Sequence, residues 1–161
     1  MESSSLLLGD VVFDAKPDAV PFNYRISYKV TQLCLIMRIC GWRDASSSLI
    51  KLHMISFALF SRENMKNLIE FTKGTESAPI VRFDPAVNRA LTYAIAYGFI
   101  EQQPSGNFVL TDQGKKLADQ IILVDDLMVT EISCLNDLKK KLTENSIKEL
   151  IETWREKHAE D

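Results

Sequence analysis

Only two histidines occur in the 161 residues, and neither has the neighbours that acid–base or metal chemistry needs. His53 lies inside the apolar run LIKLHMISFALF and reads as a hydrogen-bonded core or boundary residue. His158 sits among Arg155, Glu156, Lys157 and Glu160 and reads as solvated. Cys34, Cys40 and Cys134 fall within apolar helical patterns, where a thiol behaves as a small hydrophobe. Their odd number, without paired spacing, fits a reducing compartment. No H-E-x-x-H, C-x-x-C or G-x-S-x-G occurs, so zinc and nucleophile-elbow chemistry lack their minimum parts. No G-x-x-x-x-G-K-[ST] loop is present to cradle a nucleotide, and Gly114 at a helix start is too isolated to do so. Asp125 and Asp126 are adjacent, so on a helix their carboxylates diverge, and they read as a helix boundary. Asp10 and Asp14 have no catalytic partner near them in sequence. The expectation is a non-enzyme with no catalytic residue, no cofactor and no metal.

Nucleic-acid chemistry is the other candidate. The cations that could meet phosphate are Arg82, Arg89 and the cluster Lys139, Lys140 and Lys141. Binding driven by phosphate neutralisation asks for several such groups on one surface. Against 19 Lys and Arg stand 22 Asp and Glu, a formal charge of −3, so any patch must be local.

The elements that carry these residues centre on 84–118. Asp84 is a helix N-cap, Pro85 suits the first helical position, and Gly98 offers the left-handed stop. Residues 99–103 and 107–110 are short strands about the turn Pro104-Ser105-Gly106, and Thr111 caps the next helix, through about residue 123. Helix, two-stranded wing, helix is the back half of a winged-helix domain. The helix after Pro85 would be the groove reader, yet it offers only Asn88, Arg89 and Thr92 as polar residues. The turn of the wing, residues 102–107, has no Lys or Arg.

Upstream, 27–40 reads as a helix apolar on nearly every side, 49–60 as a second, and 62–73 as a third capped by Ser61 and stopped by Gly74. Residues 80–83 (IVRF) read as an edge strand beside the wing. Downstream, 127–142 reads as a helix with Met128, Ile132, Leu135, Leu138 and Leu142 on one stripe. Ser146 and Glu149 form a capping box that opens the last helix, which carries Ile147, Leu150, Ile151 and Trp154. Residues 1–21 are an extended arm, broken by Pro17 and Pro21. Its apolar bursts Leu6, Leu7, Leu8, Val11, Val12 and Phe13 suit packing on this domain or on a partner. Leu135, Leu138 and Trp154 are further partner-binding candidates, since the last two helices suit either folding back or forming a dimer seam.

The expected fold is therefore mainly α with a small antiparallel β wing: a winged-helix domain at 22–125, an arm at 1–21 and a C-terminal helical extension at 126–161. No apolar run approaches the ~18 residues of a membrane span. An acidic residue near the start and a short apolar run do not make a signal peptide, so a cytoplasmic protein is expected.

The order PFNYRI, LIKLHMISFALFS, DPAVNRALTYAIAYGFIE and LTDQGKKLADQI resembles the middle component of bacterial three-component ABC-ATPase systems, including the small subunit of Lamassu-type anti-phage defence. The resemblance spans roughly residues 21–126 and is most specific in D-x-x-x-N-R-A-L followed by the Gly-Phe-Ile-Glu strand. It implies an adaptor without activity of its own, accompanying an SMC-like ABC ATPase and an effector, often a nuclease. The residues alone leave a second reading, a dimeric winged-helix transcriptional regulator.

Overall fold

The computed structural model describes residues 25–74 and 81–159. The arm at 1–21, with its candidates Leu6, Leu7, Leu8, Val11, Val12 and Phe13, lies outside the described residues.

Helix α1 (Ile26–Cys40) is the axis of the molecule. Leu33, Cys34, Leu35, Ile36 and Met37 follow one another without a break and all are fully buried, which happens only when a helix is covered on every side. The cover consists of α2 (Leu49–Ala58), α4 (Pro85–Ala96), α5 (Asp112–Leu123) and α6 (Val129–Leu138). Helix α3 (Arg62–Thr72) packs outside α2, and α7 (Glu144–Ala159) closes against α2 from the other end. A bidentate Arg38–Asp119 pair at 2.9 and 3.0 Å ties α1 to α5 at the surface.

Local caps set several helix starts. The side chains of Ser61, Asp84 and Thr111 accept the N–H groups of Asn64, Ala86 and Gly114, as the sequence leads one to expect. Gly98, at φ 81°, ends α4 and turns the chain into the wing.

The sheet has strand order β1-β3-β2, all antiparallel, from β1 (Ser46–Ser47), β2 (Ile100–Gln102) and β3 (Phe108–Leu110). The fold is thus mainly α with a small antiparallel β wing, winged-helix in its element order. The third strand, however, is not at residues 81–83, the described part of the expected 80–83 strand. That part is irregular chain leading into α4, and the edge is taken by two serines. They reach β3 because Trp42 and Ser46 exchange both backbone hydrogen bonds across a tight turn, with Asp44 and Ala45 at positive φ.

Two further expectations change near the C-terminus. Helix α6 ends at Leu138, so Lys139, Lys140 and Lys141 occupy the turn to α7 rather than a helix face. The cap of α7 is Thr143, whose Oγ1 accepts the Ser146 N–H at 3.1 Å, while Ser146 lies inside the first turn. Removing this cap by Thr143→Ala is expected to lower the unfolding free energy by about 1 kcal/mol. Ser146→Ala is expected to cost only a few tenths of that order, since it loses one exposed hydroxyl contact. Urea denaturation of both variants separates the two assignments.

The C-terminal helices fold back. Leu135, Leu138, Leu142, Ile147 and Leu150 join one continuous core with α1 and α2, and Trp154 packs half-buried against it. Leu135 and Leu138 are fully buried within this chain, so they do not offer a docking surface. Among the described residues no helix is long and apolar enough to cross a membrane.

Candidate functional site

Beneath the start of α4 lies a polar cluster. Lys29 of α1 is fully buried, and its ammonium donates to Ser56 Oγ at 2.9 Å and Gln32 Oε1 at 3.2 Å. It stands 3.7 Å from Asp84 Oδ2 and 5.0 Å from the centre of the Phe60 ring. Burial pushes its pKa down, and the Asp84 carboxylate partly restores it. Asp84 Oδ1 accepts the Ala86 N–H in its capping role, whereas the buried Oδ2 has no hydrogen-bond partner among the described residues. The Lys29 ammonium is therefore its compensating charge. The network continues through Gln32 Nε2, which donates to Tyr28 Oη, and from the Tyr28 hydroxyl to Glu131 Oε1 of α6 at 2.7 Å.

His53 completes the cluster. The Asp84 N–H donates to its Nδ1 at 3.2 Å, so the ring carries its proton on Nε2 and donates to Asn88 Oδ1 at 3.2 Å. Both ring nitrogens are thus used, with the imidazole neutral. Burial lowers its pKa below the ordinary 6.5. Because the folded state takes up this proton less readily than the unfolded chain, stability is complete above pH 6.5 and falls as the pH drops through that value toward the folded pKa. The slope approaches about 1.4 kcal/mol per pH unit for this one proton. In His53→Gln, where an amide can make both hydrogen bonds without titrating, this component of the pH dependence is expected to vanish in urea denaturation between pH 7 and 5.

A lysine with a lowered pKa is the type that attacks carbonyls. Here the ammonium is buried and held by Gln32, Ser56 and Asp84, with the Phe60 ring 5.0 Å away. The thiols of Cys34 and Cys40 are pushed up to about 12 by burial, which favours the protonated form. Among the described residues, no group of three or more His, Cys, Asp or Glu side chains is placed to hold a metal ion. The cluster ties the first turn of α4 to α1 and α2.

The surface above it is aromatic. A pocket of about 440 Å³ is lined by Phe57, Phe60, Arg82, Phe83, Asp84 and Pro85. The Arg82 guanidinium lies 5.7 Å over the Phe57 ring. Phe83, 59% exposed, packs on His53 at 4.9 Å. Along one flank of α4 run Arg89, Tyr93 and Tyr97, one turn apart and all exposed, while Ile95, also exposed, lies on the opposite flank of the helix. Tyr93 and Tyr97 stack at 6.4 Å, and Tyr97 meets Phe99 at 6.4 Å at the base of the wing.

The candidate cations do not converge. Arg82 lies at the C-terminal end of α2, over Phe57, and Arg89 lies on α4. Lys140 belongs to the opposite end, where its charge acts on the buried Lys51 in the first turn of α2. Ten helical residues, about 15 Å, separate those ends. Lys139 and Lys141 flank Lys140 in the same exposed turn. The wing turn is exposed and carries no cation. A second apolar surface, Ile122, Leu123, Val124, Leu127 and Val129, projects where α5 turns into α6 around Asp125 and Asp126.

The polar cluster was hidden in the sequence. Lys29, Gln32 and Ser56 sit among apolar residues, and the one available signal was the i, i+3 spacing of Lys29 and Gln32 inside a helix otherwise apolar all round. Comparisons with protein-family models, with curated proteins and with solved structures return no match.

Proposed function

We propose that the chain is a non-enzymatic winged-helix adaptor that links an SMC-like ABC ATPase to an effector, a nuclease in the expected case, within a prokaryotic anti-phage defence complex. The partners come from the resemblance of residues 21–126 described above. The observation that supports a protein-docking role is the outer face of α4. A DNA reader of this shape lays that helix in the major groove and the wing on the backbone. Here Tyr93 and Tyr97 line one exposed flank with Arg89 as its cation, Ile95 is exposed on the other flank, and the wing turn presents no cation. Aromatic side chains with few charges are the composition of a protein interface centre. The helices that a helix-turn-helix joins by a tight turn are also separated here by α3.

Co-expression with the ATPase and effector encoded beside it is the direct test. The full chain is expected to co-purify with the ATPase and to show no nuclease or ATPase activity alone. Loss of co-purification in Tyr93→Ala/Tyr97→Ala, with the fold intact, supports the α4 face. Catalytic activity in a partner-free preparation overturns the adaptor reading. Tight, salt-sensitive binding to one duplex, weakened by Arg89→Ala, supports instead a dimeric winged-helix DNA-binding regulator.

A further inference from the structure

We propose that the aromatic pocket at the start of α4 receives residues 11–14 of this chain's own N-terminal segment, with Phe13 as the apolar anchor and the Asp14 carboxylate against the Arg82 guanidinium. The proposal stands independently of the adaptor reading.

The pocket has the properties of a receptor for such a segment. Its volume of about 440 Å³ falls in the range of pockets that seat bound side chains, and its walls are Phe57, Phe60, Phe83 and Pro85. Its charges leave a positive remainder: Lys29 and Asp84 compensate each other at 3.7 Å, while Arg82 is exposed with its guanidinium carbon 5.7 Å from the centre of the Phe57 ring. An exposed guanidinium has a fork of N–H donors that matches a carboxylate, and a cation–π contact with a ring does not use those donors up.

The N-terminal segment is complementary. Val11-Val12-Phe13-Asp14 places apolar bulk immediately before a carboxylate, and residues 1–24 carry Glu2, Asp10, Asp14 and Asp18 against Lys16. The segment also starts beside the pocket. It joins the chain at Arg25, and Lys29, one turn into α1, already touches the pocket residues Phe60 and Asp84. Residues 14–24 reach about 35 Å when extended, far more than the distance to be covered. The stretch contains Pro17 and Pro21, and proline disfavours helix. A tether this short supplies a millimolar effective concentration, so even a weak contact is populated.

Chymotryptic cleavage after Phe13 in the intact full-length protein tests the assignment, with a synthetic peptide of residues 8–20 as the free reference. Docking is expected to slow cleavage by roughly tenfold or more relative to the peptide. Arg82→Glu, at an exposed position, and Asp14→Arg, outside the core, are each expected to restore the rate of the matching peptide. The double variant Asp14→Arg/Arg82→Glu, which reverses the pair, is expected to regain the protection. Cleavage of the wild-type chain at the peptide rate overturns the proposal. So does protection that survives both single charge reversals, which would place the segment elsewhere. Protection that falls on dilution would assign the pocket to a second copy's segment and overturn the intrachain assignment.

Discussion

Replacing Lys29 by methionine is expected to lower the unfolding free energy by about 3 kcal/mol, the usual cost of removing one partner from a buried ion pair. The methionine fills most of the space but leaves Asp84 Oδ2 buried with neither a hydrogen bond nor a counter-charge, and it removes the donor from Ser56 and Gln32. For a chain of this length the loss corresponds to roughly 10 °C in melting temperature. Asp84→Asn keeps the side-chain oxygen that caps α4 but strands the Lys29 ammonium, and its cost is expected to be similar in size. The double variant is expected to cost less than the two singles together, by about 1 kcal/mol or more, because neither charge is then left alone. Thermal and urea unfolding of the three variants close the cycle. Strict additivity would show that the pair is not what holds α4 to α1.

Gly114→Ala is the second large effect, expected at about 2–3 kcal/mol from overpacking against backbone. Gly114 lies in the first turn of α5, where a Cβ would come 2.2 Å from the Phe99 carbonyl oxygen and 2.7 Å from Leu110 Cδ2. The helix start is drawn that close because Thr111 acts in both directions. Its hydroxyl accepts the Gly114 N–H and donates to the Gly98 carbonyl, and its own N–H donates to the Phe99 carbonyl at 3.0 Å. Adding a methyl group forces α5 away from the base of the wing. Gly106→Ala is the contrasting case. No atom lies within 4 Å of its Cβ position, so only the cost of φ 90° remains, roughly 1–2 kcal/mol. Faster amide exchange at Ile100 and Leu110 in Gly114→Ala, absent from Gly106→Ala, would identify the clash as the cause.

Neither effect is visible in composition or periodicity, because each depends on what a residue meets across the fold. Gly114 reads in sequence as an isolated helix-start glycine, and Lys29 as one polar residue on an apolar helix. The aromatic face was legible in part. Tyr97 and the absence of cations from the wing stand in the sequence, but the pocket needs Phe57 of α2 brought together with Arg82 and Phe83 of the segment leading into α4. The same holds for the charges. Arg82 and Lys139–141 look like one inventory in the sequence and lie at opposite ends of α2 in space.

What the chain encodes locally was readable without coordinates. The caps and stops at Ser61, Asp84 with Pro85, Gly98 and Thr111 and the Pro104-Ser105-Gly106 turn are set by groups within four residues, and a helix–wing–helix unit follows from them. The apolar surround of 27–40 likewise implies a helix covered on all sides. Tertiary structure decided the rest, wherever the deciding partner is distant along the chain. Two serines become the third strand because β3 offers them an edge. The Leu135 and Leu138 stripe becomes core because α6 packs on α1, with Tyr28 bonded to Glu131, 103 residues away. A buried lysine is stable only because an aspartate from the start of α4 arrives within 3.7 Å of it. Periodicity records which face of a helix is apolar; it carries no record of which polar groups will meet inside.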